Sequence, residues 1–180
     1  MAKKQTHFPE SEALERCLKD IATGSQEAFE ELYHRTSSGI YAFALSLVKN
    51  AHDAQDIMHD TYLRVYSAAP AYQSNGTPMA WILTITRNLC YNHLNDRKRI
   101  AEIAPDEWDL HLPPVEDSAR EDRIALTEGL KILTDEERQI VILHAVSDLK
   151  HKQIAELLNL PLSTVLSKYR RSIQKLEKNL

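Results

Sequence analysis

Apolar residues recur at helical spacing along most of the chain, with no convincing run of period-two alternation. The spacing predicts a short helix over 11–21, then a second starting after Thr23-Gly24-Ser25 and carrying Phe29, Leu32 and Tyr33. Ser38-Gly39 punctuates it, and residues 40–48 resume as an apolar helix. Residues 52–68 form an amphipathic helix with Ala54, Ile57, Met58, Thr61, Tyr62 and Val65 on one side. A turn-rich loop over 69–76 follows, and Thr77-Pro78 opens a helix to about residue 99 that buries Trp81, Ile82, Ile85 and Leu89. The pattern fails over 101–117, where Pro105, Pro113 and Pro114 stand among acidic residues, and this reads as an extended linker. Ser118-x-x-Glu121 and Thr134-x-x-Glu137 are capping-box signatures, which start helices over about 119–133 and 135–146. Residues 153–172 then give a short apolar face (Ile154, Ala155, Leu157, Leu158), a turn at Asn159 and a second helix opening at Leu162: a helix-turn-helix. The fold class is all-α, with two small helical domains over 1–100 and 118–180 joined by the acidic segment 101–117.

Composition adds boundaries to this picture. Four Gly, seven Pro, 43% hydrophobic and 27% charged residues fit a soluble helical protein. Cys17 and Cys90 lack metal-site spacing and read as free thiols lining the core. The N-terminal MAKKQTHFPESE has no apolar run for a signal peptide and no window reaches the length of a membrane span, so a cytoplasmic protein without membrane insertion is expected. The net charge of −4 is unevenly spread: acid gathers around 102–121, and Lys150, Lys152, Lys168, Arg170, Arg171, Lys175 and Lys178 gather near the end. A basic module tethered by an acidic segment fits nucleic-acid binding better than the total implies.

Three stretches carry candidate chemistry. The outer face of the last helix presents Ser163, Thr164, Ser167, Lys168, Arg170 and Arg171, hydroxyls and cations suited to base edges and phosphates; a helical hairpin with a solvated basic face is the plainer reading. The helix from Pro78 carries Thr84, Arg87, Asn88, Tyr91, Asn92 and Asn95 and ends in Arg97-Lys98-Arg99, while the loop before it offers Tyr72, Ser74 and Asn75, with Tyr72 free to present a stacking ring. Such groups suit unstacked bases and phosphates far better than they suit water alone, and a solvated helix end with cations favoured by the dipole is the plainer alternative. Finally, His52, Asp53, Asp56, His59, Asp60 and Arg64 line the polar side of the helix over 52–68. A metal there would need a matching ligand set from another helix, and none is apparent, so no metal or cofactor is expected and a surface for a protein partner, or plain solvent, is preferred.

Five segments in order, AFEELYHR, DAQDIMHDTYLRVY, AWILTITRNLCYNHLNDRKR, LTDEERQIVIL and IAELLNLPLSTVLSKYRR, resemble the extracytoplasmic-function group of bacterial sigma-70-type RNA polymerase sigma factors. The resemblance implies a region 2 domain, a region 4 domain, no enzymatic activity, and core RNA polymerase and promoter DNA as partners, with an anti-sigma factor as a further one. It implies that Asp53, Asp56, His59 and Asp60 lie at the core-polymerase interface, with His59 where the family usually has Gln. Tyr72, Ser74 and Asn75 would hold a flipped base; Trp81, Thr84, Arg87, Asn88, Asn92, Arg97, Lys98 and Arg99 would bind the −10 element. A single Trp81, preceded by Ala80 instead of a second Trp, implies weaker duplex melting, and Asn92 stands where Asp is frequent. Ser163, Thr164, Ser167, Lys168, Arg170 and Arg171 would bind the −35 element, with Leu166 in place of a usual cation. A decoy that titrates an anti-sigma factor and a stand-alone helix-turn-helix regulator are the rival readings.

Overall fold

The computed structural model describes residues 9–100 and 130–179. They form α1 (Pro9–Ala22), α2 (Gln26–Val48), α3 (Ala51–Ala68), a 3-10 turn (Ala69–Ala71), α4 (Pro78–Ile100), α5 (Asp135–Ala145), α6 (His151–Leu158) and α7 (Leu162–Asn179), and no strand occurs among the described residues. The expected linker over 101–117 and most of the helix expected over 119–133, including the Ser118-x-x-Glu121 signature, lie outside them.

Local chemistry sets the boundaries. Gly24 takes φ +91° after α1, and the Ser25 side chain accepts a hydrogen bond from the Ala28 N–H to start α2. Lys49 caps the other end at φ 56°, and the Asn50 side chain accepts from the Asp53 N–H to open α3, so α2 and α3 are joined by two residues. Thr134 and Glu137 close the expected capping box on α5. Asn159 takes the left-handed turn at φ 55°, and Ile154, Ala155 and Val165 are buried beneath it, which builds the helix-turn-helix as the sequence predicts.

The break expected at Ser38-Gly39 does not occur, and α2 runs through it. Gly39 serves a close approach instead of a turn: a Cβ there would lie 2.8 Å from Ser147 Oγ and 3.6 Å from the Val146 carbonyl oxygen. Every residue from 39 to 46 is buried, because α2 packs against α1, α3 and α4 and also against α5. The unit α1–α4 and the unit α5–α7 therefore share one apolar core, reinforced by a Lys49 Nζ to Asp135 Oδ2 ion pair of 2.9 Å. Inside that core the Thr36 hydroxyl donates to the Leu32 carbonyl and shares a 2.7 Å hydrogen bond with the Tyr62 hydroxyl. Cys17 and Cys90 are buried and unbonded, and burial pushes the Cys90 thiol up to about 12, which leaves it inert at neutral pH.

Arg138 is the strongest anchor of the second unit. It is 5% exposed, and its guanidinium donates to the Leu130 and Leu133 carbonyls at 2.9 Å each while pairing with Asp135 at 3.0 Å. Those carbonyls end the turn ahead of α5, so one buried cation satisfies a helix terminus and fixes the entry to the helix-turn-helix.

Candidate polymerase and promoter surfaces

The polar side of α3 divides in two. Asp56, His59 and Asp60 are exposed, with His52 Nδ1 3.1 Å from Asp56 Oδ2. Asp53 instead turns toward α4, where its Oδ2 accepts from Arg97 Nη1 at 2.7 Å and lies 3.1 Å from His93 Nε2 without hydrogen-bond alignment. No group of three or more His, Cys, Asp or Glu side chains gathers as a metal site among the described residues. Beside the exposed acids stand Leu63, 68% exposed, and Tyr66, 50% exposed, whose ring meets Phe29 edge-on at 5.6 Å. Sequence reasoning passed over Leu63; its signal was an apolar residue out of phase with the buried stripe. Together these side chains make a half-apolar, acid-rimmed strip, the composition of a protein-binding surface.

The loop ahead of α4 is braced. Contrary to the expectation of a free stacking ring, Tyr72 is held: its hydroxyl donates to Glu15 Oε1 at 2.7 Å and its ring lies 4.7 Å from Trp81 at 54°. Burial, then the Glu15 hydrogen bond, raises the phenol well above its ordinary range, so it remains a donor. Gly76, at φ +74°, donates its N–H to the same Glu15 oxygen at 3.1 Å. Asn75 and Ser74 are both exposed, but the Asn75 Oδ1 is occupied, accepting from the Thr77 N–H at 3.1 Å and the Thr77 hydroxyl at 2.7 Å. Nothing in the sequence pairs Glu15 with a residue 57 positions away.

Along α4, Thr84, Asn88, Tyr91, Asn92 and Lys98 are exposed on one stripe. Arg87 lies over the Tyr91 ring at 4.9 Å, and Arg97 is held by Asp53; the side chain of Arg99 lies outside the described residues. The first turns of α4 face the second unit: Asn75, Thr77, Ala80, Trp81 and Thr84 line a groove of about 280 Å³ with Gln153, Glu156 and Leu157 of α6.

On α7, Ser163, Ser167, Arg170 and Arg171 form an exposed face, with Thr164 half-buried at its edge. Lys168 belongs to a different side, its Nζ 2.9 Å from Glu136 Oε2 of α5, and Lys175 pairs with Glu137 at 2.7 Å. Leu162 and Leu166 are exposed beside the hydroxyls and cations. A helix-turn-helix with hydroxyls and guanidinium groups on the outer face of its second helix is built to enter a major groove.

Residues 23–100 match the Sigma-70 region 2 family model and residues 123–176 match Sigma-70, region 4. Among curated proteins, the ECF RNA polymerase sigma factor SigE of Mycolicibacterium smegmatis is 32% identical over 164 residues, covering 86% of this chain and 63% of that protein. The ECF RNA polymerase sigma factor SigW of Bacillus subtilis is 26% identical over 182 residues, covering 93% of this chain and 96% of that one. The chain thus spans under two thirds of the SigE relative but nearly all of SigW. Among solved structures, CnrH in complex with the cytosolic domain of CnrY shares the fold at a TM-score of 0.61 and 20% identity, covering 92% of this chain and 96% of that one. The sigma factor RpoE in complex with the anti-sigma factor NepR from Bartonella quintana does so at 0.60 and 20%, covering 84% and 96%. With region 2 and region 4 matched in order over the two helical units, the chain belongs to the ECF group of the sigma-70 family.

Proposed function

We propose that this chain is an alternative sigma factor, a specificity subunit that docks on core RNA polymerase and directs initiation at promoters with matching −35 and −10 elements. The observation that carries the reading is the pairing, in one short chain, of a polar, cation-bearing α4 behind a braced loop with a helix-turn-helix whose outer face bears Ser163, Ser167, Arg170 and Arg171. The unit over 1–100 would hold the polymerase and the −10 strand, and the unit over 118–180 would read the −35 duplex. Asp56, His59 and Asp60, joined by Leu63 and Tyr66, are the polymerase-binding strip. Arg170 and Arg171 neutralise phosphates while Ser163 and Ser167 reach base edges, a division between positioning and readout that duplex recognition requires. Thr84, Asn88, Tyr91 and Asn92 receive unstacked −10 bases, whose extrusion costs a few kcal/mol and is offset by stacking and cationic contacts.

The chain itself catalyses no reaction in this reading; the polymerase forms the phosphodiester bonds, in the cytoplasm. An anti-sigma factor is the further partner, a reading supported by the sigma–anti-sigma complex among the structural neighbours. Run-off transcription with core polymerase and a pool of genomic fragments tests the whole. Discrete start sites that share two upstream elements are expected, and the absence of any chain-dependent transcript would overturn the reading.

A further inference from the structure

Glu15 lies on α1, ahead of the residues matched to region 2, which begin at 23. Its Oε1 accepts two hydrogen bonds from the loop that precedes α4, one from the Tyr72 hydroxyl at 2.7 Å and one from the Gly76 N–H at 3.1 Å. One turn earlier, the Ser11 hydroxyl donates to the Gly76 carbonyl at 3.1 Å. The start and the end of the loop are thus tied to one helix through one carboxylate and one hydroxyl. Between the ties, Asn75 takes both donors of Thr77, and the Tyr72 ring rests on Trp81. The other Glu15 oxygen is buried without a hydrogen-bond partner, so the carboxylate is held in place by the loop and by packing instead of by solvent.

A loop of this length with Gly76 at positive φ has many conformations when untethered, and each residue ordered on binding costs conformational entropy. A loop already ordered does not incur that loss when its ligand arrives. We infer that Glu15 is a positioning residue for −10 strand capture: from α1 it holds residues 72–77 in the shape that receives an unstacked base, with Tyr72 and Trp81 as a fixed wall. The inference rests on the −10 reading proposed above and adds to it a residue outside the region 2 match. Tyr72 then serves as a wall whose hydroxyl is already committed, and base contacts fall to exposed Ser74 and the α4 stripe.

The test uses holoenzyme assembled from core polymerase and the full chain, with a non-template −10 oligonucleotide and a −35 duplex taken from a promoter found by run-off transcription. Glu15→Ala is expected to weaken capture of the single strand by about tenfold or more, the equivalent of ordering one or two loop residues. Binding of the −35 duplex and the melting temperature should stay near wild type, and the salt dependence of strand capture should be unchanged, because no phosphate contact is lost. Glu15→Gln keeps an acceptor and should restore most of the affinity, while Ser11→Ala should show a smaller loss. Wild-type strand capture by Glu15→Ala overturns the inference, as does a parallel fall of strand capture, duplex binding and melting temperature, which marks a merely structural role. If wild-type holoenzyme captures no −10 strand, the sigma reading falls and the inference with it, a result distinct from any difference between variants.

Discussion

Leu166 stands on the outer side of α7, 47% exposed, flanked by Ser163, Ser167 and Arg170. An aliphatic side chain there offers a phosphate nothing, and in a major groove its one complementary feature is the thymine methyl. Leu166→Arg is therefore expected to raise affinity for −35 duplexes of any sequence and to steepen the log affinity–log salt slope by about 1, as measured by binding titrations across salt concentrations. An unchanged slope would place the residue away from the DNA backbone. The sequence showed which residue types crowd this helix but not which way each faces. By residue type Lys168 belongs with the DNA-binding cations, yet it pairs with Glu136, a residue on another helix. The bond from Tyr72 to Glu15 is invisible in the sequence for the same reason: long-range partners leave no mark in local spacing.

Most helices were legible because their ends carry their own chemistry. The Thr134–Glu137 capping box, Pro78 at the head of α4 and the left-handed Asn159 are local signals that packing had no cause to override. The stack between α5, α6 and α7 was not legible, since His144, His151 and Tyr169 become neighbours only when the three helices meet. His144 and His151 rings stack at 4.4 Å, and Tyr169 meets them edge-on at 4.8 and 4.7 Å. His144 Nδ1 donates to the Leu149 carbonyl at 2.8 Å, whereas His151 Nε2 is buried without a partner at the head of α6, where a helix dipole disfavours a cation. Burial, then the proximity of His144, lowers the His151 pKa below its ordinary 6.5. Above that pH neither the folded nor the unfolded chain protonates His151; as pH falls below it, the unfolded chain gains the proton first and stability is lost. Thermal melts should show the helix-turn-helix unit weakening from pH 7 toward pH 5.5, and His151→Phe should flatten that trend while keeping the stack. A His151→Phe protein with the wild-type pH profile would assign the effect elsewhere.

At the scale of the whole molecule, the packing of the two units on each other is not legible in local patterns, because the joint consists of a glycine, a serine, an ion pair and apolar residues that each unit could have buried alone. The compact arrangement conflicts with simultaneous reading of two promoter elements. Elements about 25 base pairs apart lie about 85 Å apart along B-DNA, against a radius of gyration of about 16 Å for a compact chain of 180 residues. Cysteines placed at exposed Ser67 and Glu177 can be labelled selectively, since Cys17 and Cys90 are buried. Energy transfer between the labels should fall when core polymerase is added, and constant transfer would show that the units stay together. Burial opposes the ionisation of Asp135, but its bonds to Lys49 and Arg138 outweigh it and hold the carboxyl below its ordinary range, so the ion pair persists through the neutral pH at which that measurement is made. Gly39 then has a meaning that neither unit alone supplies. In the middle of α2 it costs about 1 kcal/mol of helix stability relative to alanine, a loss present whether the folded units are shut or open, while the room it leaves for Ser147 is useful only when the units touch. Gly39→Ala should therefore separate two quantities that usually travel together: the first unit should melt later, and the free protein should spend more of its time open. The glycine acts as a weight on a balance between shut and open forms, and its replacement would give up restraint for readiness without touching a single residue that meets polymerase or DNA.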